Sequence, residues 1–318
     1  MISSSEHDHL PAPWLGVEVR HLAALEALET EGSFGRAATK LGYTQSAVSQ
    51  QIAALERIVG EQLVERPGGP RPVALTEAGL LVLRHARAIV ARLQAARADL
   101  GALAAGEAGS LRVGTIQSVG AKILPEVMRR FTGAWPDVEI ELRESHSDAE
   151  LADLVERGVL DLSVVQLPVD NPWLETELLL QDDYVLVTAA DSPFAETRVP
   201  TLREIAAQPL IGHRHCRATE LVVGQLRAAG REPHFVLRSD ENGVVQGLAG
   251  AGIGVAILPR LAVDPNDESV RITDLSPRLA RRQVGIARHK DRYHSPAAKA
   301  FVATALEVGS NHTARLAA

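Results

Sequence analysis

Leu41-Gly42-Tyr43-Thr44-Gln45-Ser46-Ala47-Val48-Ser49-Gln50-Gln51-Ile52-Ala53-Ala54-Leu55-Glu56 divides into two faces when wound as a helix from Gln45. Val48, Ile52 and Leu55 fall on one stripe at i, i+4 and i+7, the spacing of a face that packs inward. Opposite them Gln45, Ser46, Ser49 and Gln50 make a compact patch of amides and hydroxyls, where an ordinary solvent face carries Glu and Lys. Those types suit a major groove, because Gln can pair with adenine N6 and N7 and Ser can bond several base edges. Thr44 is placed to accept from the free N–H groups of the first turn. Gly42 before it and Gly60 after it mark helix ends.

Outward from this segment the pattern continues. Leu22, Leu25 and Leu28 predict a first helix that Gly32 stops, and Ser33 caps a second over 34–41, whose Ala37 and Ala38 let another helix approach closely. Two short helices joined around a glycine are the helix-turn-helix arrangement. Residues 63–66 and 73–75 read as short strands flanking the Pro67-Gly68-Gly69-Pro70 turn, a wing carrying Arg66 and Arg71. Between Ser33 and Thr76 five Lys or Arg (Arg36, Lys40, Arg57, Arg66, Arg71) face three acids, while the whole chain carries a net charge of -7. Cations gathered here would hold phosphates and fix register, leaving the Gln and Ser face to read sequence. Thr76 and Glu77 then open a long helix to about residue 103. Its Val82, Ala86, Ile89, Leu93, Ala96, Leu100 and Leu103 recur every four and three residues, a heptad seam that asks for a partner helix. The same helix of a second copy supplies one, so a two-fold dimer matching two half-sites is expected.

The stretch His21-Leu22-Ala23-Ala24-Leu25, then Gly32-Ser33-Phe34 with Ala37-Ala38, then Leu41 through Glu56, and finally Leu75-Thr76-Glu77-Ala78-Gly79, closely resembles the DNA-binding region of LysR-type transcriptional regulators over about sixty residues. The resemblance implies a third helix in the major groove, a dimerising linker helix and a remainder that senses a small molecule. It implies as partners double-stranded DNA at a promoter, a small-molecule effector, a second copy or a tetramer, and RNA polymerase. Two departures stand out. Gln50 occupies a place where the family often has a basic residue, and Pro67, Pro70 and Pro72 lengthen and stiffen the wing.

The chain has 318 residues, 46% hydrophobic and 23% charged, with aromatics at 3%. That is the make-up of a folded protein with aliphatic cores, long enough for two or three folding units. One cysteine, Cys216, excludes an intrachain disulfide and a CxxC pair and fits a reducing cytoplasm. No secretory signal is read at the start and no apolar run reaches the ~18 residues that span a bilayer, so no membrane partner is expected.

Beyond Gly101, Gly106 and Gly109 the class changes. Strands at 111–115, 138–142 and 160–166 alternate with helices at 123–131 and 149–158, the second opened by Ser147 and Glu150 as a capping box, and this order implies a parallel sheet. Further strands near 184–188, 210, 235–238 and 253–258 belong to another lobe, and the strand 282–288 leads back toward a final helix at 296–308. The expected divisions are a disordered tail (1–17), an all-α winged helix-turn-helix unit (18–76), a linker and hinge (77–108), one α/β lobe (109–167 with 291–318) and a second (168–290). The resemblance adds that two such lobes are like those of periplasmic solute-binding proteins, with an effector held between them.

Ligands in open α/β sheets sit beyond the carboxyl ends of strands, close to helix N-termini that attract anions. This selects Thr115, Gln117, Ser118, Gln166, His213, Arg214, His215 and Asn242 as effector contacts. Arg214 between two histidines points to a carboxylate or another anion. His213, His215 and Cys216 are too cramped for a metal motif. Cys216 could be oxidised to a sulfenic acid but has no resolving partner. No GxSxG, HExxH, phosphate loop or dinucleotide fingerprint occurs. Asp182 and Asp183 would point to opposite faces of a strand. No catalysis and no cofactor are expected. The rival reading is a cytoplasmic solute-binding module whose helical N-terminus only oligomerises it.

Overall fold

A computed structural model describes residues 14–65, 72–105, 109–194, 198–214, 216–276 and 278–317. The chain forms two compact units that divide near Gln94.

In the first unit α1 (Val19–Glu31), α2 (Phe34–Leu41) and α3 (Gln45–Val59) end on Gly32, Gly42 and Gly60, all left-handed with φ of 63°, 70° and 82°. Only residues without a Cβ take that conformation at no steric cost. Ser33 Oγ accepts from the Arg36 N–H and Thr44 Oγ1 from the Ala47 N–H, each satisfying a donor the helix start leaves over. Leu25, Leu28, Ala37, Val48, Ile52 and Leu55 are fully or almost fully buried in one core. In the wing β1 (Val64–Glu65) pairs antiparallel with β2 (Ala74–Leu75), and the turn expected between them, with residue 66, lies outside the described residues. The Glu56 carboxylate reaches over from α3 to accept the N–H groups of Leu63 and Val64, fixing the wing to the reading helix. Of the tail expected over 1–17, residues 1–13 lie outside the described residues and the rest is ordered. Trp14 to Gly16 form a turn, and Val17 packs on the core.

The long helix α4 (Glu77–Ala105) forms as expected, but its seam does not serve one purpose throughout. Val82, Leu83 and Ala86 are buried in the first unit's own core. Ala86, expected at a dimer seam, therefore belongs inside its own chain, because Gly79 lets the helix start lie directly against the Leu63 carbonyl. Ile89, Leu93 and Leu100 are 47%, 49% and 68% exposed.

The second unit begins with β3 (Gly109–Thr115), α5 (Gln117–Lys122), α6 (Leu124–Ala134), β4 (Val138–Glu144), α7 (Asp148–Glu156), β5 (Leu162–Gln166) and β6 (Leu174–Asp182). The chain then crosses to β7 (Tyr184–Ala189), α8 (Leu202–Ile205), β8 (Pro209–Gly212), α9 (Arg217–Ala228), β9 (His234–Arg238), α10 (Asn242–Gly250), β10 (Val255–Pro259) and β11 (Val270–Asp274). It returns through β12 (Arg282–His289) to α11 (Pro296–Ala317). Two five-stranded sheets result, ordered β4-β3-β5-β12-β6 and β11-β7-β10-β8-β9. β5, β7 and β10 are buried at every residue, as strands covered on both faces are. Phe131 of α6 meets Phe301 of α11 edge-on at 5.2 Å over the first sheet.

Three expectations change here. The first sheet is mixed, since β12 runs antiparallel to both β5 and β6. β6 was not anticipated, and with β12 it belongs to the first sheet, so the lobes meet near residues 183 and 281 and not at 168 and 290. Ser147 caps α7 through the Glu150 N–H, but the Glu150 carboxylate turns to Ser145 and Arg143, so the capping box is half made.

Candidate functional site

On the first unit, Gln45, Ser46 and Gln50 are exposed and Ser49 is half-buried, opposite the buried Val48, Ile52 and Leu55. The structure thus brings the amide and hydroxyl patch to one open face of α3. Ser33 and Thr44 spend a hydroxyl lone pair each on capping, and the Arg36 guanidinium rests on the Glu31 carbonyl. Lys40 pairs with Glu31 at 3.0 Å on the surface. Arg66 and Arg71 lie outside the described residues.

In the second unit a cleft runs between the lobes. Ile116, Gln117, Ser118, Ser145, His146, Asp148 and Gln166 line it from the first lobe, and His213, Cys216, Asp240, Asn242, Pro259 and Ala262 from the second. Arg282, at the start of β12, completes the wall. The loops after β3, β5, β8 and β9 therefore do converge, and Gln117, Ser118, Gln166, His213 and Asn242 stand in one site. Thr115 lies beneath it, fully buried. Arg214 is excluded from it: the residue is exposed, its N–H donates to Asp240 and its guanidinium bonds the Arg238 carbonyl at 3.4 Å. His215 lies outside the described residues, so the three-residue metal reading is left without its middle member.

Sequence reasoning missed the cation that does line the cleft. Arg282 donates from Nε to Asp182 Oδ2 at 2.9 Å and from Nη2 to Ser118 Oγ at 2.8 Å, and both charged side chains are at most 4% exposed. Asp182 in turn accepts the Leu261 N–H of the second lobe at 3.2 Å. Asp183 points the other way, to Arg281 at 2.7 Å, as alternation along a strand requires. The signal was present: an acid pair and a base pair one hundred residues apart, in register on neighbouring strands.

Across the mouth, Gln117 Nε2 donates to Glu241 at 2.7 Å and its Oε1 accepts the Asn242 N–H at 3.2 Å. His146 approaches Glu241 at 3.7 Å. His213 Nε2 meets Asn242 Oδ1 at 2.9 Å, and burial holds this imidazole below its ordinary pKa, so it stays neutral at pH 7. Burial pushes the Cys216 thiol up, which leaves little of the thiolate that oxidation needs.

Asp148 Oδ1 accepts the Gln166 N–H at 2.7 Å, yet burial outweighs this bond and the nearby Arg282 and Arg217 and raises its pKa. A carboxyl raised on folding contributes most below its unfolded pKa and loses that contribution as pH climbs through the folded value. Asp148→Asn keeps the oxygen acceptor without the charge. Its stability relative to the parent is therefore expected to improve as pH rises from 4 to 7, read by denaturant unfolding at each pH; a constant difference would mean Asp148 titrates normally.

Among the described residues no helix is long and apolar enough to cross a membrane. Comparison with known proteins identifies the family of both units. Residues 19–80 match the bacterial regulatory helix-turn-helix protein family, lysR family, and residues 104–310 match the LysR substrate binding domain. An uncharacterized HTH-type transcriptional regulator, YnfL of Escherichia coli strain K12, is 30% identical over 90% of this chain and 97% of its own. The HTH-type transcriptional regulator AlsR of Bacillus subtilis strain 168 is 30% identical over 90% of this chain and 94% of its own. Among solved structures, CbnR complexed with its target DNA has a TM-score of 0.61 at 22% identity, covering 92% of this chain and 99% of that one. A Corynebacterium glutamicum OxyR mutant has a TM-score of 0.59 at 24% identity, covering 95% and 94%. A helix-turn-helix reading head joined to a two-lobed effector domain, with relatives of this kind along nearly its full length, places the chain in the LysR family of transcriptional regulators.

Proposed function

We propose that this regulator reads a promoter operator through Gln45, Ser46, Ser49 and Gln50 of α3, with Arg36 and the wing cations Arg66 and Arg71 on phosphates. A small molecule seated in the cleft between the lobes then modulates it. The observation that carries the reading is the open amide and hydroxyl face of α3 directly opposite a fully buried stripe. Phosphate contacts supply affinity and base contacts supply choice, so the two are separable. Gln45→Ala or Ser49→Ala is expected to weaken the operator by about 1–3 kcal/mol per lost base contact and to leave random DNA nearly untouched. Binding of the parent to either DNA should fall steeply with salt. Fluorescence anisotropy on an operator and a scrambled duplex checks both; equal losses on the two duplexes would remove these side chains from base reading.

The protein acts as a dimer or a pair of dimers in the cytoplasm, without catalysis, and a promoter-bound assembly of this kind works on RNA polymerase. Support for self-association comes from Ile89, Leu93 and Leu100, apolar side chains that α4 leaves exposed on one heptad line with Ala96, the side chain of Leu103 lying outside those described. Leu93→Lys with Leu100→Lys places like charges across a two-fold seam. It is expected to shift the protein toward monomer in sedimentation velocity; an unchanged sedimentation coefficient would move the dimer contact elsewhere.

A further inference from the structure

The cleft carries an unmet requirement. Gln166 is 2% exposed, and among the described residues its side-chain Nε2 meets no acceptor. The strand end cannot swing to relieve it, because the Gln166 N–H is held by Asp148 at 2.7 Å and its carbonyl accepts Arg217 Nη1 at 3.2 Å. Buried amide donors are nearly always bonded, and one left over beside a cavity marks where a ligand atom belongs. The cleft's inner cavity measures about 40 Å³. A space of about 10–15 Å³ already holds one water, so this cavity has room for a small molecule of a few heavy atoms. Anything much larger would have to part Gln117 from Glu241 and Asn242. A wider recess of about 350 Å³ beside Lys122 and Asp264 offers no comparable demand, since its buried Gln246 is bonded to Asp264 and Asp267.

Charge narrows the class further. Beside the inner cleft Asp182 and Asp148 stand near Arg282 and Arg217, while Asp240 and Glu241 add acids toward the mouth with His146. Arg282 is committed to Asp182, and Arg217 to the carbonyls of Gln166 and Pro168. An added anion would lie desolvated among acids with neither of these cations free to meet it, and a cation would turn its donors toward the orphaned Gln166 donor; either is costly. We propose that the cleft takes a small uncharged molecule bearing a carbonyl oxygen beside an N–H or O–H, of the primary-amide or hydroxycarbonyl class. Its oxygen accepts from Gln166 Nε2 and its donor faces Asp148. The assignment rests on the cleft being the effector seat, and it departs from the anion expected when Arg214 was placed there.

Acetamide, acetate and acetamidinium share one four-atom frame and carry charges of 0, -1 and +1, which makes them direct probes. With the full-length protein at pH 7, titration calorimetry is expected to give acetamide at least about tenfold tighter binding than either ion. Gln166→Met is expected to weaken acetamide about fivefold to tenfold, the worth of one neutral hydrogen bond, with a Tm in the absence of ligand no lower than the parent's, because the orphaned donor is gone. Acetate or acetamidinium binding as well as acetamide overturns the charge assignment. No heat with acetamide up to roughly 100 mM, beyond what four heavy atoms should need, overturns the class. A larger molecule that alone changes operator affinity sinks this proposal and leaves the cleft as effector seat. Acetamide that binds through Gln166 yet never alters operator affinity supports the pocket chemistry and removes the regulatory reading.

Discussion

Arg282→Ala is expected to be the most destabilising single change in the effector unit. It strands the Asp182 carboxylate, 1% exposed, with only the Leu261 N–H for company among the described residues. Asp182 already has its pKa raised by burial, which Arg282 only partly offsets. Removing one partner of a buried ion pair costs about 3–5 kcal/mol, because the other charge remains buried and unpaired. In a unit of this size about 1 kcal/mol moves Tm by roughly 2–4 °C, so a drop of some 6–20 °C should appear in calorimetry. Replacing both residues, Asp182→Leu with Arg282→Met, is expected to restore most of it, since a packed apolar pair of similar volume often equals a buried ion pair. A single mutant as stable as the parent would mean that Asp182 takes up a proton or reaches water at little cost.

The second large effect is expected at Gly79→Ala. On propensity alone the exchange would help, by about 1 kcal/mol for an interior helix position. Geometry reverses the sign, because the new Cβ would stand 2.1 Å from the Leu63 carbonyl oxygen and 3.1 Å from Leu75. Backbone cannot rotate aside as a side chain can, and overpacking costs about 1–3 kcal/mol, sometimes more. A net loss of about 2 kcal/mol is expected in the first unit, with specific and non-specific DNA affinity lost in parallel as the wing is pushed off α4. Wild-type unfolding with intact operator binding would show that the helix start lifts away freely.

The first unit is legible in the sequence because its boundaries are written in residues whose chemistry admits few alternatives. Gly32, Gly42 and Gly60 occupy left-handed positions, and Ser33 and Thr44 fill caps; each is a local signal, read within four residues of where it acts. The effector unit depends on distant partners. β6 carries Glu and Leu in no clean alternation, and it becomes a strand by pairing with β12 a hundred residues later. Arg282 enters the cleft by the same long-range pairing. Arg214, adjacent to promising loop residues in sequence, is drawn outward by Asp240 and the Arg238 carbonyl. The heptad in α4 has the spacing the sequence indicates, but its first turns pack on their own unit and not on a second copy. Period alone fixes which residues share a stripe and leaves open what covers it.

That division of α4 has a practical corollary for anyone grafting this reading head onto a foreign sensor. Val82, Leu83 and Ala86 are interior bricks of the head, so a splice at the wing's end, before Glu77, would open its floor. The junction belongs past Val90, where the helix has finished serving the head and has only the seam left to supply.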